Sequence, residues 1–230
     1  MRDVTVSSLD AWYGRLFDID ADDVWRRITA CFHKGLGDSP GYYVAWRGKG
    51  VHVSVPHTAD PATARSLSSE AVEVLQSIDF WQDFAVSRGL QVVGPSTHSY
   101  LDADPGPVDG VCTVDRSALA ALRGRVDDQD WAESGWQDAP ARTFGLYDNG
   151  TLAAASNLNV FDGLPRDIGV LVAPPRRGRG LSETVGRHAA SYAIRQHGFA
   201  RWGTRNANTA SLAAARRLGF EAWCTQLWVR

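Results

Sequence analysis

The stretch that most constrains this chain is residues 168–183, IGVLVAPPRRGRGLSE. An apolar run at 168–172 reads as a buried strand, and beyond Gly180 the residues Leu181, Val185, His188, Ala189 and Tyr192 recur on one helical face until Gly198 stops them. The arginine-glycine segment therefore joins a strand to a helix N-terminus. There Gly178 and Gly180 let the backbone approach an anion with no Cβ in the way, while the free N–H groups of the first helical turn point at it. A diphosphate fits such a junction. The competing reading is an arginine hook for the DNA minor groove, but hooks of that kind sit in strongly basic, disordered segments.

Charge bears on that choice. The chain has 230 residues and a formal net charge of -2, so nothing attracts it generally to nucleic acid or anionic membrane. Residues 1–108 hold 9 basic against 14 acidic residues, and residues 109–230 hold 15 against 12. Between Arg176 and Arg217 lie nine arginines and one acid, Glu183. The positive field is local. Three widely spaced cysteines, Cys31, Cys112 and Cys224, make neither a disulfide framework nor a metal knuckle, which suits a reduced, cytoplasmic setting. No apolar run approaches the roughly 20 residues that span a bilayer.

The first hundred residues read as an α/β unit. Val24, Trp25, Ile28, Cys31 and Phe32 suggest a helix stopped by Gly35. Residues 42–46 and 51–55 flank Arg47-Gly48-Lys49-Gly50 as a hairpin, 68–88 as a helix broken near Ser77, and 90–93 as a short strand closed by Gly94-Pro95. The turn-rich DADPGPVD at 102–109 marks a boundary, giving segments 1–105 and 106–230. Beyond it Ser117 is expected to cap a short helix, and 127–140 to form an acidic loop bearing Trp131 and Trp136. Asp148-Asn149-Gly150 then turns a hairpin between 143–147 and 151–157.

Two motifs in the second segment carry a resemblance. Arg177, Gly180 and Ser182 resemble the acyl-CoA diphosphate loop of the GNAT N-acetyltransferase superfamily (Arg or Gln, two residues, Gly, one residue, Gly or Ala), with Ser182 departing from the last place. Asn208-Thr209-Ala210-Ser211, followed by a helix ending in Leu218-Gly219-Phe220, resembles that family's closing helix, with strands expected at 200–204 and 223–229. The resemblance implies a mixed, mostly antiparallel sheet flanked by helices over 106–230. The segment 1–105 carries no matching motif and would be an accessory half or a degenerate copy of the same fold.

It further implies acetyl-CoA as co-substrate, no metal, and an amine acceptor, small molecule or peptide, with nucleic acid and membrane not expected as partners. The oligomeric state stays open. Backbone groups of Arg177, Gly178, Arg179, Gly180, Leu181 and Ser182 would take the diphosphate, and those of Val170, Leu171 and Val172 would pair with the pantetheine arm. Asn208 and Ser211 would meet its far end, and Arg176, Arg179 and Arg216 the adenosine phosphates. Direct attack of a neutral amine on the thioester needs a base, an oxyanion donor and a proton for the thiolate. A main-chain N–H near Val172 would serve the oxyanion. Asp167, at the start of the strand, is the candidate base, with Glu133 and Asp162 behind it.

The tyrosine often found four residues before the Gly of Leu-Gly-Phe is Ala215 here, which leaves water or Ser211 as acid, or a chain that binds acyl-CoA without turning it over. His98 and a covalent route through Cys112 or Cys224 are further options, and His188 reads as a core residue. The nine tryptophans read mainly as core, with lining of an acceptor pocket a further option for Trp131 and Trp136. The acids Asp127, Asp128, Asp130 and Glu133 suit either a cationic amine or a solvated face.

Overall fold

The computed structural model describes residues 1–136 and 142–230. Part of the expected acidic loop, 137–140, lies outside them. The chain forms two compact units interleaved in sequence: one comprises Met1, Ser99–Gly203 and Asn208–Glu221, the other Arg2–His98, Thr204–Ala207 and Ala222–Arg230.

The second of these contains α1 (Asp3–Phe17), β1 (Ile28–Phe32), β2 (Tyr42–Arg47), β3 (Gly50–Val55), α2 (Pro61–Ser68), α3 (Val72–Leu75), α4 (Ile78–Val86) and most of β4 (Val92–Leu101). The hairpin of β2 and β3 is antiparallel as expected, with Arg47 opposite Gly50. Where a helix is expected around Val24 to Phe32, Ile28–Phe32 is instead a strand, because it pairs in parallel with Val51–Val55, a partner 23 residues away. Tertiary pairing overrides an apolar spacing that also fits a helix. Within 68–88, where a helix broken near Ser77 is expected, lie two short helices, α3 and α4, the second beginning at its cap Ser77, whose Oγ accepts the Phe80 amide; α2 ends at Ser68. The strand expected to close at Gly94-Pro95 runs on to Leu101, and the Pro95 carbonyl accepts the Asn206 amide at 2.8 Å.

The other unit follows with β5 (Val111–Thr113), α5 (Arg116–Arg123), α6 (Asp128–Glu133), β6 (Arg142–Asp148), β7 (Thr151–Phe161), β8 (Leu164–Val172), α7 (Leu181–His197), β9 (Ala200–Arg205) and α8 (Thr209–Arg217). The last strand, β10 (Glu221–Val229), pairs with β2 and so belongs, from Ala222 onward, with Arg2–His98. A single cut at 105/106 does not describe these units.

Asp115 rather than Ser117 caps α5, since its Oδ1 accepts the Ala118 amide at 2.7 Å. Asp127 caps α6 in the same way, so what reads as an acidic loop contains a short helix. Asn149 and Gly150 take φ of 50° and 71°, the positive values their turn requires, between β6 and β7. Strands β5, β6, β7 and β8 are antiparallel in that order, and β9 lies parallel to β8. The fold is mixed α/β with a mostly antiparallel sheet flanked by helices.

Alternation along β8 decides what each residue faces. Ile168, Val170 and Val172 pack toward α7 with Ala154, Leu158, Val185, Ala189 and Ala193. Leu171 turns the other way, to Leu122, Leu152 and Ala155 beneath α5 and α6. Asp167 and Gly169 share its parity. Among the described residues no helix is long and apolar enough to cross a membrane, and no group of three His, Cys, Asp or Glu side chains is placed to hold a metal.

Candidate functional site

Strands β8 and β9 pair at one position, Asp167 opposite Arg201. Beyond it they part. On the other side of β8, Ala173 donates its amide to Ala153 at 2.9 Å. In an antiparallel pair such bonds alternate, so the N–H and C=O groups of Val170 and Val172 turn away from β7 toward the opened side. The cavity between the parting strands has a volume of about 330 Å³.

Its walls bring together Asp167, Val170, Leu171, Val172, Arg177, Gly178, Gly180, Leu181, Ser182, Asn208 and Ser211. Arg179 is exposed and does not line it. At its mouth Gly178 and Gly180 both have φ of 74°, a left-handed conformation that costs any other residue, and the space a Cβ would fill is open at each. The Gly180 carbonyl accepts the amides of Glu183 at 3.1 Å and Thr184 at 3.2 Å, and the Arg177 amide bonds Pro174. The amides of 178–182 make no hydrogen bond among the described residues. This is one residue fewer than expected, since Arg177 is already used.

The loop's arginines are partly committed. Arg176 lies 2.9 Å from Asp148, and Arg177 pairs with Asp130 of α6 while its Nε donates to the Val172 carbonyl at 3.4 Å. Arg179 and Arg216 form no ion pair among the described residues.

The deep end holds a different pair. Asp167 Oδ2 lies 2.9 Å from Arg201 Nη1, with side-chain exposures of 24% and 16%. Burial pushes the Asp167 carboxyl above its usual range, against the opposing pull of Arg201. Opposite Asp167 on β7 stands Asn159. Asn159 donates to the Gly135 carbonyl at 2.6 Å, while Asn157, fully buried, accepts the Gly169 amide at 2.7 Å and donates to Asn159 Oδ1 at 3.3 Å. This network pins the turn after α6 to the sheet. Glu133, at the end of α6, lines the cavity and accepts from Asn208 Nδ2 at 3.3 Å. Asn208 also caps α8, its Oδ1 taking the Ser211 amide at 3.0 Å, and Ser211 Oγ accepts the Trp202 indole N–H at 3.0 Å.

Several sequence expectations fall elsewhere. Ala215 is buried in the core beside Phe220, whereas its neighbour Ala214 lines the cavity. Trp131 and Trp136 stack on each other at 5.6 Å and pack against the layer beneath α6, off the cavity. Asp162 sits on the exposed turn between β7 and β8. His188, by contrast, packs as the core residue expected, against Phe144 and the backbone of Val108. His98 is buried and off the lining, Cys112 is exposed, and Cys224 is buried against the Tyr13 hydroxyl at 3.0 Å. Asn157 and Asn159 were not foreseen. Two amides at i and i+2 in the apolar run LAAASNLNVF were the signal for them.

Residues 113–220 match the family described as Acetyltransferase (GNAT) family. No curated protein matches the chain. Among solved structures, a GNAT-family protein from Novosphingobium aromaticivorans is similar over 61% of this chain and 66% of its own, at 18% identity and a TM-score of 0.51. A GNAT-family acetyltransferase from Colwellia psychrerythraea is similar over 82% of this chain and 64% of its own, at 17% identity and a TM-score of 0.49. The chain thus spans just under two thirds of the length of each, and likeness at such identity speaks to the fold alone.

Proposed function

We propose that the chain, whose residues 113–220 match the acetyltransferase (GNAT) family, transfers an acetyl group from acetyl-CoA to a primary amine by direct attack on the thioester. The single observation that carries this reading is the cavity where β8 and β9 part, with its mouth formed by the unbonded amides of 178–182.

The residues fit the co-substrate on their own chemistry. Unbonded amides at a helix start suit a diphosphate, and open space over Gly178 and Gly180 leaves room for it. The free edge of β8 at Val170 and Val172 suits an arm carrying amide groups, which would pair with it as an added strand does. Acetyl-CoA supplies the activated acetyl group. Asp167 takes the proton of the amine, its raised pKa matching it to that task better than an ordinary aspartate. Arg201 holds its carboxylate in place. The backbone N–H of Val172 faces the opened side and meets the developing oxyanion. For the departing sulfur the cavity offers the Ser211 hydroxyl and solvent.

A second reading, binding of acyl-CoA without turnover, is favoured by the ion pair that occupies Asp167 and by the absence of an acid at Ala215. The test is acetyl-CoA consumption against a panel of primary amines, with a calorimetric titration of CoA alongside. Transfer to any amine well above the buffer rate supports the first reading. Binding without transfer across the panel leaves the second, and no CoA binding ends both.

A further inference from the structure

Among the described residues three carboxylates line the cavity: Asp130, Glu133 and Asp167. Two are matched by arginines, Asp130 by Arg177 and Asp167 by Arg201. Glu133 has no cationic partner among the described residues. Its oxygens accept instead from two neutral amides, Gln129 Nε2 at 3.2 Å and Asn208 Nδ2 at 3.3 Å.

That orientation is built in. Because Asn208 Oδ1 is committed to the Ser211 amide, the group it turns toward Glu133 is its NH₂. Neutral donors fix where a carboxylate points without cancelling its charge. The turn that follows Glu133 is itself anchored, through the Gly135 carbonyl, to Asn157 and Asn159. Among the described residues, the cavity wall thus carries one oriented negative charge with no countercharge. Glu133 and Asp128 on the same helix are both exposed, but Asp128 is paired with Arg123 and lies off the cavity.

The nitrogen that attacks the thioester must be neutral, so it is no lasting partner for this charge. We infer that Glu133 binds a second, non-reacting cationic centre of the acceptor, which makes the acceptor an amine carrying another positive charge, as aliphatic diamines and polyamines do. Glu133 makes and breaks no bond in this role; it determines specificity. The word acceptor rests on the acetyl-transfer reading, while the charge preference rests on the geometry of Glu133.

The test uses 1,4-diaminobutane and butylamine, equal in chain length and different by one charge. Each is titrated into the CoA-saturated protein, as wild type and as Glu133→Gln, whose CoA affinity reports that it is folded. The wild type is expected to bind the diamine up to about fivefold more tightly, the preference one exposed ion pair supplies. Glu133→Gln is expected to abolish that preference, and Asp128→Asn to keep it. Equal binding of the two amines by the wild type overturns the inference regardless of how any variant folds, as does a preference retained by Glu133→Gln.

In turnover, Glu133→Gln is expected to raise KM for the diamine and leave kcat in place. An equal fall in kcat for both amines would make Glu133 a base and overturn the specificity role. Tight diamine binding without acetylation defeats the transfer reading and leaves this inference standing. Acetylation of both amines without charge preference does the reverse.

Discussion

Asp167 and Arg201 face each other at the position where β8 and β9 last touch, 2.9 Å apart, with the cavity opening beyond them. The pair marks both the point at which the strands separate and the base proposed for the amine. Burial raises the Asp167 carboxyl and Arg201 opposes that rise. A base works ionised, so kcat/KM falls as pH drops through the raised value, placing the acid limb above the ordinary aspartate range. Among the described residues, Asn159 across β7 and Glu133, Asp130, Asn208 and Ser211 also line the cavity. Removing the countercharge in Arg201→Met moves the acid limb further up, and Asp167→Asn lowers kcat by about a hundredfold or more. An acid limb unmoved in Arg201→Met removes Asp167 from the role.

Gly180→Val separates binding from folding. The residue is left-handed at φ 74° with open space around the missing Cβ. Strain of about 1–2 kcal/mol lowers thermal stability modestly. The branched side chain would stand where the diphosphate is proposed to lie, so CoA affinity falls at least about tenfold, read by titration beside a melting curve, with about 1.4 kcal/mol of lost contact enough for that. Unchanged CoA affinity in a folded variant contradicts the cradle.

Gly169→Ala tests the anchoring of α6. A Cβ there would lie 2.2 Å from the Ser134 carbonyl and 2.3 Å from Asn157 Oδ1, both in packed surroundings. Overpacking of this kind costs about 1–3 kcal/mol. The turn carrying Glu133 shifts with it, so the KM of a diamine acceptor rises. A melting temperature equal to wild type would show that the turn yields freely.

The other unit carries a pH liability. His52 is fully buried, bonded to Thr29 Oγ1 at 2.7 Å and Ser54 Oγ at 2.9 Å, and stacked on Phe17 at 3.8 Å. Burial lowers its pKa to about 3, from 6.5. The unfolded chain then binds the proton more readily, so stability is full above about pH 6.5 and is lost as pH falls toward 3. Denaturant midpoints between pH 7 and 4 should fall more steeply for the wild type than for His52→Gln. Equal slopes would show that His52 does not carry the effect.

Local chemistry made part of this legible. Asn149-Gly150 announces its turn because few other residues accept two successive positive φ values, and the strand, glycine loop and helix from Ile168 to Gly198 follow from period and punctuation alone. What escaped depends on partners remote in sequence. Ile28–Phe32 is a strand only because Val51–Val55 lies beside it, and β10 leaves its neighbours because β2 pairs with it. Asn157 and Asn159 are fixed in the strand by the Gly135 carbonyl, which accepts from both, and by the Gly169 amide, which donates to Asn157. Counting back from Gly219 identifies Ala215, but helix phase turns Ala214 to the cavity instead.

The most direct measurement is a map of backbone amide chemical shifts by NMR as CoA is added to the protein. The largest changes should fall on Gly178, Arg179, Gly180, Leu181 and Ser182, with Val170 and Val172 following along the open edge of β8. Saturating CoA that leaves these amides unmoved, or moves a different set, would contradict the account.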